Sequence, residues 1–335
     1  MHWQSIRYLW HLRHLRHLRY IANCIGLILS LLYAQTALAV DNITILLSEE
    51  GSAYTEFSNQ LNTLLSSQPT QGNTAKNTIK VLSLNNYKSE DLSRNANNQL
   101  LIAVGTPAMT AMAQKPPAMP VLNVLVPRNT FQKIAKQYGR HQDPHHFSAI
   151  YFDQPWHRQL GLIRISMPGR TRIGLLLSKD SNDMLVGLPA IAKEMDMQIN
   201  VETVNDDSEL LPALRRLLNN SDSLLALPDA AIYNRNNIPS ILLTSYRQKV
   251  PLFGFSAAYV KAGALAGVYS SAAQIAQQVA EIIQTQPNSA YLPLPQYPRH
   301  FSVNVNTQVS RSLSLEIDDE VSLTRKLKSL AERVQ

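Results

Sequence analysis

Short apolar runs alternate with amphipathic segments along almost the whole chain, and this alternation limits the fold more than any other sequence feature. The apolar runs are 43–47, 79–84, 100–104, 121–126, 172–177, 199–204, 223–227, 250–255 and 301–305. Most are apolar on both faces, as are parallel strands covered by helices on both sides. The pattern predicts βαβ units and α/β architecture with doubly wound, parallel sheets.

A division near 139–153, polar from Gly139 to His146, separates this alternation into two halves, and a new apolar run begins at Arg172. The 335-residue chain exceeds the usual size of a single domain. We therefore expect two lobes with a similar alternation of strands and helices. The alanine-rich stretch 261–269 is predicted to be a buried helix, and the proline-rich strip 287–298 a connection between the lobes.

The first 39 residues have the pattern of an export signal. A basic region without acidic residues precedes the apolar stretch 21–33, and Ala37 and Ala39 supply small residues at a cleavage site. The apolar stretch is shorter than the roughly 20 residues that span a bilayer. We predict a signal peptide at 1–39, cleaved after Ala39, and a periplasmic protein. An uncleaved anchor is the alternative.

Composition excludes several function classes once the signal is set aside. The formal net charge of +7 falls to about +3 without the four arginines of the signal, and no basic stripe with interleaved aromatics follows. We therefore expect no nucleic-acid partner. The single cysteine, Cys24, lies inside the signal, so a mature chain has no disulfide, thiolate–metal site or cysteine nucleophile.

No motif in the sequence supports an enzyme. It has no Gly-x-Ser-x-Gly elbow, phosphate-binding loop or dinucleotide fingerprint. His141, Asp143, His145 and His146 could form a metal cluster, but their spacing does not place them on one helical face. We interpret this segment as a solvated loop and expect no metal, no cofactor and no catalysis.

Polar loops that follow the predicted strands are the candidate binding segments, because ligands of open α/β sheets bind beyond the carboxyl ends of the strands. The clearest loop is 103–108. Gly105 permits a tight turn, Thr106 is a candidate helix cap, and Pro107 suits the first helical position. Free amides there would suit an anion, although simple capping explains the loop equally well. The other loops are 48–52, 178–182, 228–229 and 255–259.

Three segments resemble a known family. They are Leu-Pro-Asp-Ala-Ala-Ile-Tyr-Asn at 227–234, Pro-Ser-Ile-Leu-Leu-Thr at 239–244, and Phe-Gly-Phe-Ser-Ala-Ala-Tyr-Val-Lys-Ala-Gly-Ala-Leu-Ala at 253–266. The chain resembles the ABC-transporter substrate-binding protein family that includes tryptophan- and tyrosine-binding members. Segments 104–108 and 172–177 resemble further motifs of that family. The resemblance implies a type I periplasmic-binding fold, with two Rossmann-like lobes, three crossovers and closure on a ligand.

The resemblance also implies domain limits and site residues. The first lobe would comprise 41–148 plus about 258–288, and the second 149–257 plus about 291–317, before a charged C-terminal tail at 318–335. The implied ligand-binding residues are Thr106, Asp229 and Ser256, with Gly105, Ser48, Ser181 and Tyr259 as further candidates. Where amino-acid-binding members tend to carry an acidic residue, this chain has Ser-Ala-Ala at 256–258.

The function implied by the resemblance is capture of a small molecule, with an amino-acid-like compound as one candidate, for an ABC importer. The partner would be a membrane permease, and the protein would be a monomer by analogy. The alternative is a periplasmic sensor that reports ligand binding to a membrane kinase or cyclase. The sequence does not separate the two.

Overall fold

The computed structural model describes residues 42–66, 78–88, 99–285 and 291–333. The predicted signal peptide at 1–39 lies outside these ranges. Within them, no helix combines the length and apolar character needed to cross a membrane.

Two sheets organise the described chain. The first is fully parallel in the order β2-β1-β3-β4-β5. The second has the order β11-β10-β9-β8-β6-β7, and only β11 runs antiparallel to its neighbour. The strands are β1 (Asn42–Leu47), β2 (Thr78–Ser83), β3 (Gln99–Val104), β4 (Val121–Val126), β5 (Phe147–Tyr151), β6 (Arg172–Ser178), β7 (Gln198–Val204), β8 (Ser223–Leu225), β9 (Leu252–Gly254), β10 (Ala266–Tyr269) and β11 (Ser302–Val305).

Helices cover both faces of each sheet. They are α1 (Ser52–Ser66), α2 (Thr106–Gln114), α3 (Arg128–Gln137), α4 (Trp156–Ser166), α5 (Leu188–Glu194), α6 (Leu210–Asn219), α7 (Ile238–Arg247), α8 (Ala257–Ala262), α9 (Ala272–Thr285), α10 (Thr307–Ser312) and α11 (Glu320–Arg333). On the first sheet, α1 and α9 share one core and α2 and α3 the other. On the second sheet, α4, α5 and α11 pack on one face and α6, α7 and α8 on the other. The predicted α/β architecture with two lobes of mainly parallel strands is confirmed.

The chain passes between the lobes three times. It leaves β5 for α4 through residues 152–155 and returns from β10 to α9 through 270–271. It then runs back along 291–301 to β11. On this last passage Gln296 pairs with Ile150 at the edge of the first sheet, and Leu292 is buried in its core. Hydrogen bonds from Gln154 to Ser270 and from Ser270 to the His300 carbonyl link the three passages, which are called the hinge below.

Two strands were missed by the sequence analysis. The polar division at 139–153 contains β5, all five residues of which are buried. The helix predicted at 261–269 is wrong, since α8 ends before Gly263, which has a φ of 129°, and the chain continues as β10. A Cβ at Gly267 would lie 2.7 Å from the Gly254 carbonyl oxygen, so the pairing of β10 with β9 needs a glycine at that position.

These strands also change where two segments belong. Residues 258–269 were expected in the first lobe, but they form part of α8 and all of β10 beside the second sheet, and only α9 returns. Residues 149–151, expected in the second lobe, end the edge strand of the first sheet.

The expected charged tail at 318–335 is instead an integral helix of the second lobe. Leu323 and Leu327 of α11 are fully buried against α4. Burying a leucine contributes about 2 kcal/mol, so the helix docks through these side chains despite its charged outer face.

Candidate functional site

A cavity lies between the lobes, beside the hinge. From the first lobe and the crossovers it is lined by Arg128, Asn129, Gln132, Phe152, Asp153, Gln154 and Tyr297, and from the second lobe by Trp156, Gln159, Asp183, Met184, Leu227, Pro228, Phe255 and Val268. Most of these residues lie just beyond the carboxyl ends of β4, β5, β6, β8 and β9. This is where parallel α/β sheets hold ligands.

Asp153 is an acidic group of the cavity wall that has no ion pair. Its Oδ2 accepts a hydrogen bond from the backbone N–H of Arg128, and none of the described basic side chains forms a salt bridge with it. Loss of solvent raises the pKa of Asp153, and this exceeds the opposing effect of backbone hydrogen bonds and of the nearby Arg128 guanidinium. The protein's own groups thus leave this carboxylate incompletely compensated.

Arg128 is the one basic residue in the described lining, and its guanidinium already has a partner. Its Nη1 donates to the Tyr297 hydroxyl at 3.0 Å, and its Cζ lies 5.9 Å from the centre of the Tyr297 ring. Burial raises the pKa of Tyr297 and that of the adjoining Tyr151, the latter to about 12. Both phenols are therefore neutral at physiological pH.

Aromatic rings supply much of the remaining wall, and neighbouring groups hold them in place. Tyr297 meets Tyr151 edge-on with ring centres 5.4 Å apart, and Phe255 lies 4.5 Å from the Tyr259 ring. The indole N–H of Trp156 donates to the Val186 carbonyl at 3.2 Å. With Phe152, the cavity presents four aromatic side chains to a ligand.

A hydrogen-bond network joins the cavity to all three crossovers. Gln154, in the first crossover, donates to Ser270 Oγ in the second at 2.9 Å, and Ser270 donates to the His300 carbonyl in the third at 2.5 Å. Arg158 donates to Gln154 Oε1 at 2.6 Å and to the Pro298 carbonyl at 2.9 Å. Desolvation lowers the pKa of Arg158 to about 10, so it is still charged at neutral pH. Gln154 is therefore hydrogen-bonded to the crossovers as well as exposed to the cavity.

One ion pair bridges the lobes at the edge of the cavity. Lys133 of α3 lies 3.1 Å from the Asp183 carboxylate and also reaches the Asp180 carbonyl at 3.4 Å. Both side chains are more than half exposed. Such a pair contributes at most about 1 kcal/mol. It can form only when the two lobes are close together.

The predicted first-lobe site residues lie at the start of α2 and make internal contacts. Ser48 Oγ donates to the Val104 carbonyl at 2.7 Å and accepts from the Ala108 N–H at 2.9 Å. Gly105 has a φ of 88°, and a Cβ there would lie 2.6 Å from the Tyr54 hydroxyl. Thr106 follows as the first residue of the helix and is partly exposed.

The predicted second-lobe residues also bond within the protein. Asp229 is buried and accepts from the backbone N–H groups of Ser178 at 2.8 Å and Ala231 at 3.1 Å. Ser181 Oγ lies 3.0 Å from Ser178 Oγ, which places both hydroxyls beside the same loop. Two further predicted residues lie at α8. The Tyr259 hydroxyl donates to the Tyr233 carbonyl at 2.6 Å, and Ser256 precedes the helix without a side-chain capping bond.

None of these seven residues lines the cavity, although Asp229 and Ser256 are adjacent in sequence to Pro228 and Phe255, which do. Their contact with a ligand stays a prediction. Sequence reasoning missed Arg128 and Asp153. The signal that could have found Asp153 was the polar Asp-Gln directly after the mainly apolar residues 147–152, had 147–151 been recognised as a strand.

The histidine cluster points to backbone groups. His145 Nδ1 lies 2.6 Å from the Leu292 carbonyl and its ring stacks on Tyr291, while His141 and His146 face the carbonyls of Ala135 and Ala118. Throughout the part of the chain that the structure describes, no three His, Cys, Asp or Glu side chains are placed to hold a metal ion.

Comparison with known proteins places this architecture among binding proteins. The family model described as ABC transporter substrate binding protein matches residues 70–324. No curated protein matches the sequence.

Three solved structures share the fold. A ligand-free, open substrate-binding protein with adhesive properties from Clostridium difficile has a TM-score of 0.64 and 16% identity, over 83% of this chain and 96% of that one. An ABC domain in complex with L-Trp from Streptococcus pneumoniae has a TM-score of 0.56 and 16% identity, over 85% of this chain and 97% of that one. A conserved domain protein from Vibrio cholerae has a TM-score of 0.56 and 17% identity, over 86% of this chain and 98% of that one. At these identities the likeness establishes the fold alone.

Proposed function

We propose, because the chain belongs to the ABC transporter substrate-binding protein family, that it captures a small molecule between its lobes and delivers it to an ABC permease. The observation that carries this proposal is the cavity beside the hinge, lined by side chains from both lobes. A ligand that contacts both walls binds the closed arrangement better than an open one, and so shifts the protein toward closure. The closed form is what the permease would receive.

Binding without catalysis is the chemistry that the lining favours. Its side chains are amides, two carboxylates, one guanidinium, one phenol and apolar groups, with no serine, threonine, cysteine or histidine among the described lining residues. Such groups orient and desolvate a solute, and the described lining offers no serine, threonine or cysteine nucleophile and no histidine base to activate one. We propose that the protein is not an enzyme and acts as a monomer.

The proposed location is the periplasm, which is typical of this family. Residues 1–39 support it through their basic region, short apolar core and small residues before Val40. Cleavage after Ala39 would release the two-lobed part of the chain.

An amino-acid-like compound is the proposed ligand. The structural relative from Streptococcus pneumoniae was solved with L-Trp, and the aromatic side chains and polar amides that line this cavity match a compound of that chemical character. We propose the lining residues as the direct contacts, while Asp229 and Ser256 hold their neighbours Pro228 and Phe255 in place.

A test starts from cells that express the full-length gene. Protein is recovered from the periplasmic fraction, its N-terminus is sequenced, and its melting temperature is measured with amino acids, amines, peptides, nucleosides, sugars and anions. A ligand at 100 times its dissociation constant should add about 2.7 kcal/mol of stability. Uptake of the labelled hit is then compared in cells with and without the gene.

Reduced uptake in the deletion strain is the expected result. A folded protein that binds none of these solutes would contradict solute capture. A clear ligand whose uptake does not depend on the gene would contradict the import role. A protein found only in membranes with Met1 intact would contradict export and cleavage.

A further inference from the structure

We infer that the cavity recognises a protonated amine carried on a flat apolar body, with Asp153 as the group that accepts the amine. This inference rests on the proposed solute capture and names the ligand class of that same site. It also assigns the recognition to the first-lobe wall, and not to the start of α2 or to Asp229.

The charge of Asp153 is the first argument. Its carboxylate lines the cavity, is partly buried and receives a hydrogen bond from the Arg128 backbone, yet no described basic side chain pairs with it. A carboxylate withdrawn from water without an ion-pair partner is costly, and the nearby Arg128 guanidinium offsets this cost only in part. A ligand ammonium group would supply both the missing charge and up to three N–H donors.

The surrounding rings are the second argument. Phe152, Trp156, Phe255 and Tyr297 share the cavity with Asp153. Aromatic faces attract cations and pack against flat apolar groups, so they suit both halves of such a ligand. Leu227 and Val268 extend the apolar surface, which disfavours a highly hydroxylated solute such as a sugar.

The third argument concerns the carboxylate that an amino acid would also carry. The start of α2, where the sequence pattern predicted free amides that would suit an anion, is filled by other groups. The Ala108 N–H is bonded to Ser48 Oγ, the Gly105 N–H donates to the Val124 carbonyl at 2.9 Å, and the Tyr54 hydroxyl lies over Gly105.

Within the cavity itself, Arg128 is the only basic residue of the described lining, and its guanidinium bonds Tyr297. We therefore expect binding to depend on the ligand amine, and a ligand carboxylate to add at most a contact with the remaining N–H donors of Arg128.

The experiment compares matched probes by calorimetry on protein recovered from the periplasm of cells expressing the full-length gene. One set is tryptamine, L-tryptophan and indole-3-propionate, and the other is phenethylamine, L-phenylalanine and 3-phenylpropionate. In at least one set we expect the amine to bind within about tenfold of the amino acid. In that set, the propionate, which has no amine, should bind at least about 30-fold more weakly than the amine. This is the loss expected when a buried charge has no partner.

The substitution Asp153→Asn should weaken binding of the amine by at least about 30-fold. It should not lower the melting temperature, because the Asn carbonyl can still accept from the Arg128 N–H. Asp319→Asn, at the start of α11 and outside the cavity, is the matched control and should leave binding unchanged.

Equal binding of the acids, unchanged affinity in Asp153→Asn, or no binding of any amine would overturn the inference. If a sugar, nucleoside or anion then raised the melting temperature in the solute panel described under the proposed function, solute capture would be supported and only the proposed ligand class would be wrong. If nothing bound, both would fall.

Discussion

The guanidinium of Arg128 donates to the hydroxyl of Tyr297 at 3.0 Å, and so joins the start of α3 to the last passage of the chain between the lobes. Both residues line the cavity. The bond fixes the first-lobe wall against the hinge, because Tyr297 follows Gln296, which pairs with β5. Asp153 accepts a hydrogen bond from the Arg128 backbone N–H and forms no ion pair with this guanidinium.

Tyr297→Phe should lower the free energy of unfolding by about 1–2 kcal/mol, since it removes the acceptor of a partly buried charged donor while keeping the ring. Urea denaturation measures the loss. Tyr246→Phe is the control, because Tyr246 is 47% exposed and should change stability by less than about 0.5 kcal/mol. Equal effects of the two variants would show that the Arg128–Tyr297 bond is not stabilising.

Ser270→Ala should cost about 1–3 kcal/mol, because it leaves the Gln154 amide without its acceptor and the His300 carbonyl without its donor at a buried site. The same denaturation experiment on Ser312→Ala provides the comparison, since the Ser312 hydroxyl bonds in an exposed position. A loss no larger in Ser270→Ala than in Ser312→Ala would contradict the role of the network.

Lys133→Met and Asp183→Asn should each weaken ligand binding by no more than about fivefold, which corresponds to about 1 kcal/mol for an exposed ion pair. The effect should shrink as salt is added. A double-mutant cycle on the dissociation constant isolates the pair. Arg216→Met removes a similar ion pair with Glu202 inside the second lobe and should leave binding unchanged. A coupling energy of zero would mean that the pair does not assist closure.

Gly105→Ala should destabilise the protein by about 3 kcal/mol or more. Its φ of 88° strains an L-residue, and its Cβ would lie within 2.7 Å of both Tyr54 and Ser48 oxygens. Gly139→Ala has a similar φ of 70° but nothing within 4 Å, so it should cost only about 1 kcal/mol. Thermal unfolding of the pair separates backbone strain from the clash. Equal losses of stability in the two variants would contradict the close contact of Tyr54 and Ser48 with Gly105 at the start of α2.

Binding of an amine should weaken as the pH falls, and the loss should begin above the range of an ordinary aspartate. Burial raises the pKa of Asp153 above 3.8, so its carboxyl becomes protonated sooner than in the unfolded chain. By linkage, ligand-free stability should rise as the pH falls through this raised pKa, because the folded state then binds more protons than the unfolded state. Calorimetry against pH, with Asp153→Asn as the comparison, tests both. An Asp153→Asn variant with the same pH dependence would contradict this assignment.

The sequence by itself determined the α/β architecture. The nine apolar runs from 43–47 to 301–305 all contain strands, because strands buried in a parallel sheet leave a hydrophobic pattern in the sequence. The edge strands β2, β7 and β11 are only partly buried but are apolar enough to show the same pattern. The motifs at 227–234 and 253–266 also indicated the family that the match over 70–324 establishes. The sequence located the carboxyl ends of strands as the binding edge, and the cavity lies there.

Only the tertiary structure decided which residues at that edge meet. β5 and β10 escaped the sequence analysis because β5 is short and follows polar residues, while β10 is rich in alanine and glycine. Such strands gain their stability from pairing within the sheet, with β4 for β5 and with β9 and β11 for β10. Without β5, Asp153 could not be placed next to Arg128 and Tyr297. Conversely, Ser48 and Asp229 have the composition of ligand contacts but are satisfied internally by Ala108 and Ser178. A side chain's type follows from the sequence, whereas its available partners follow from how the two lobes pack.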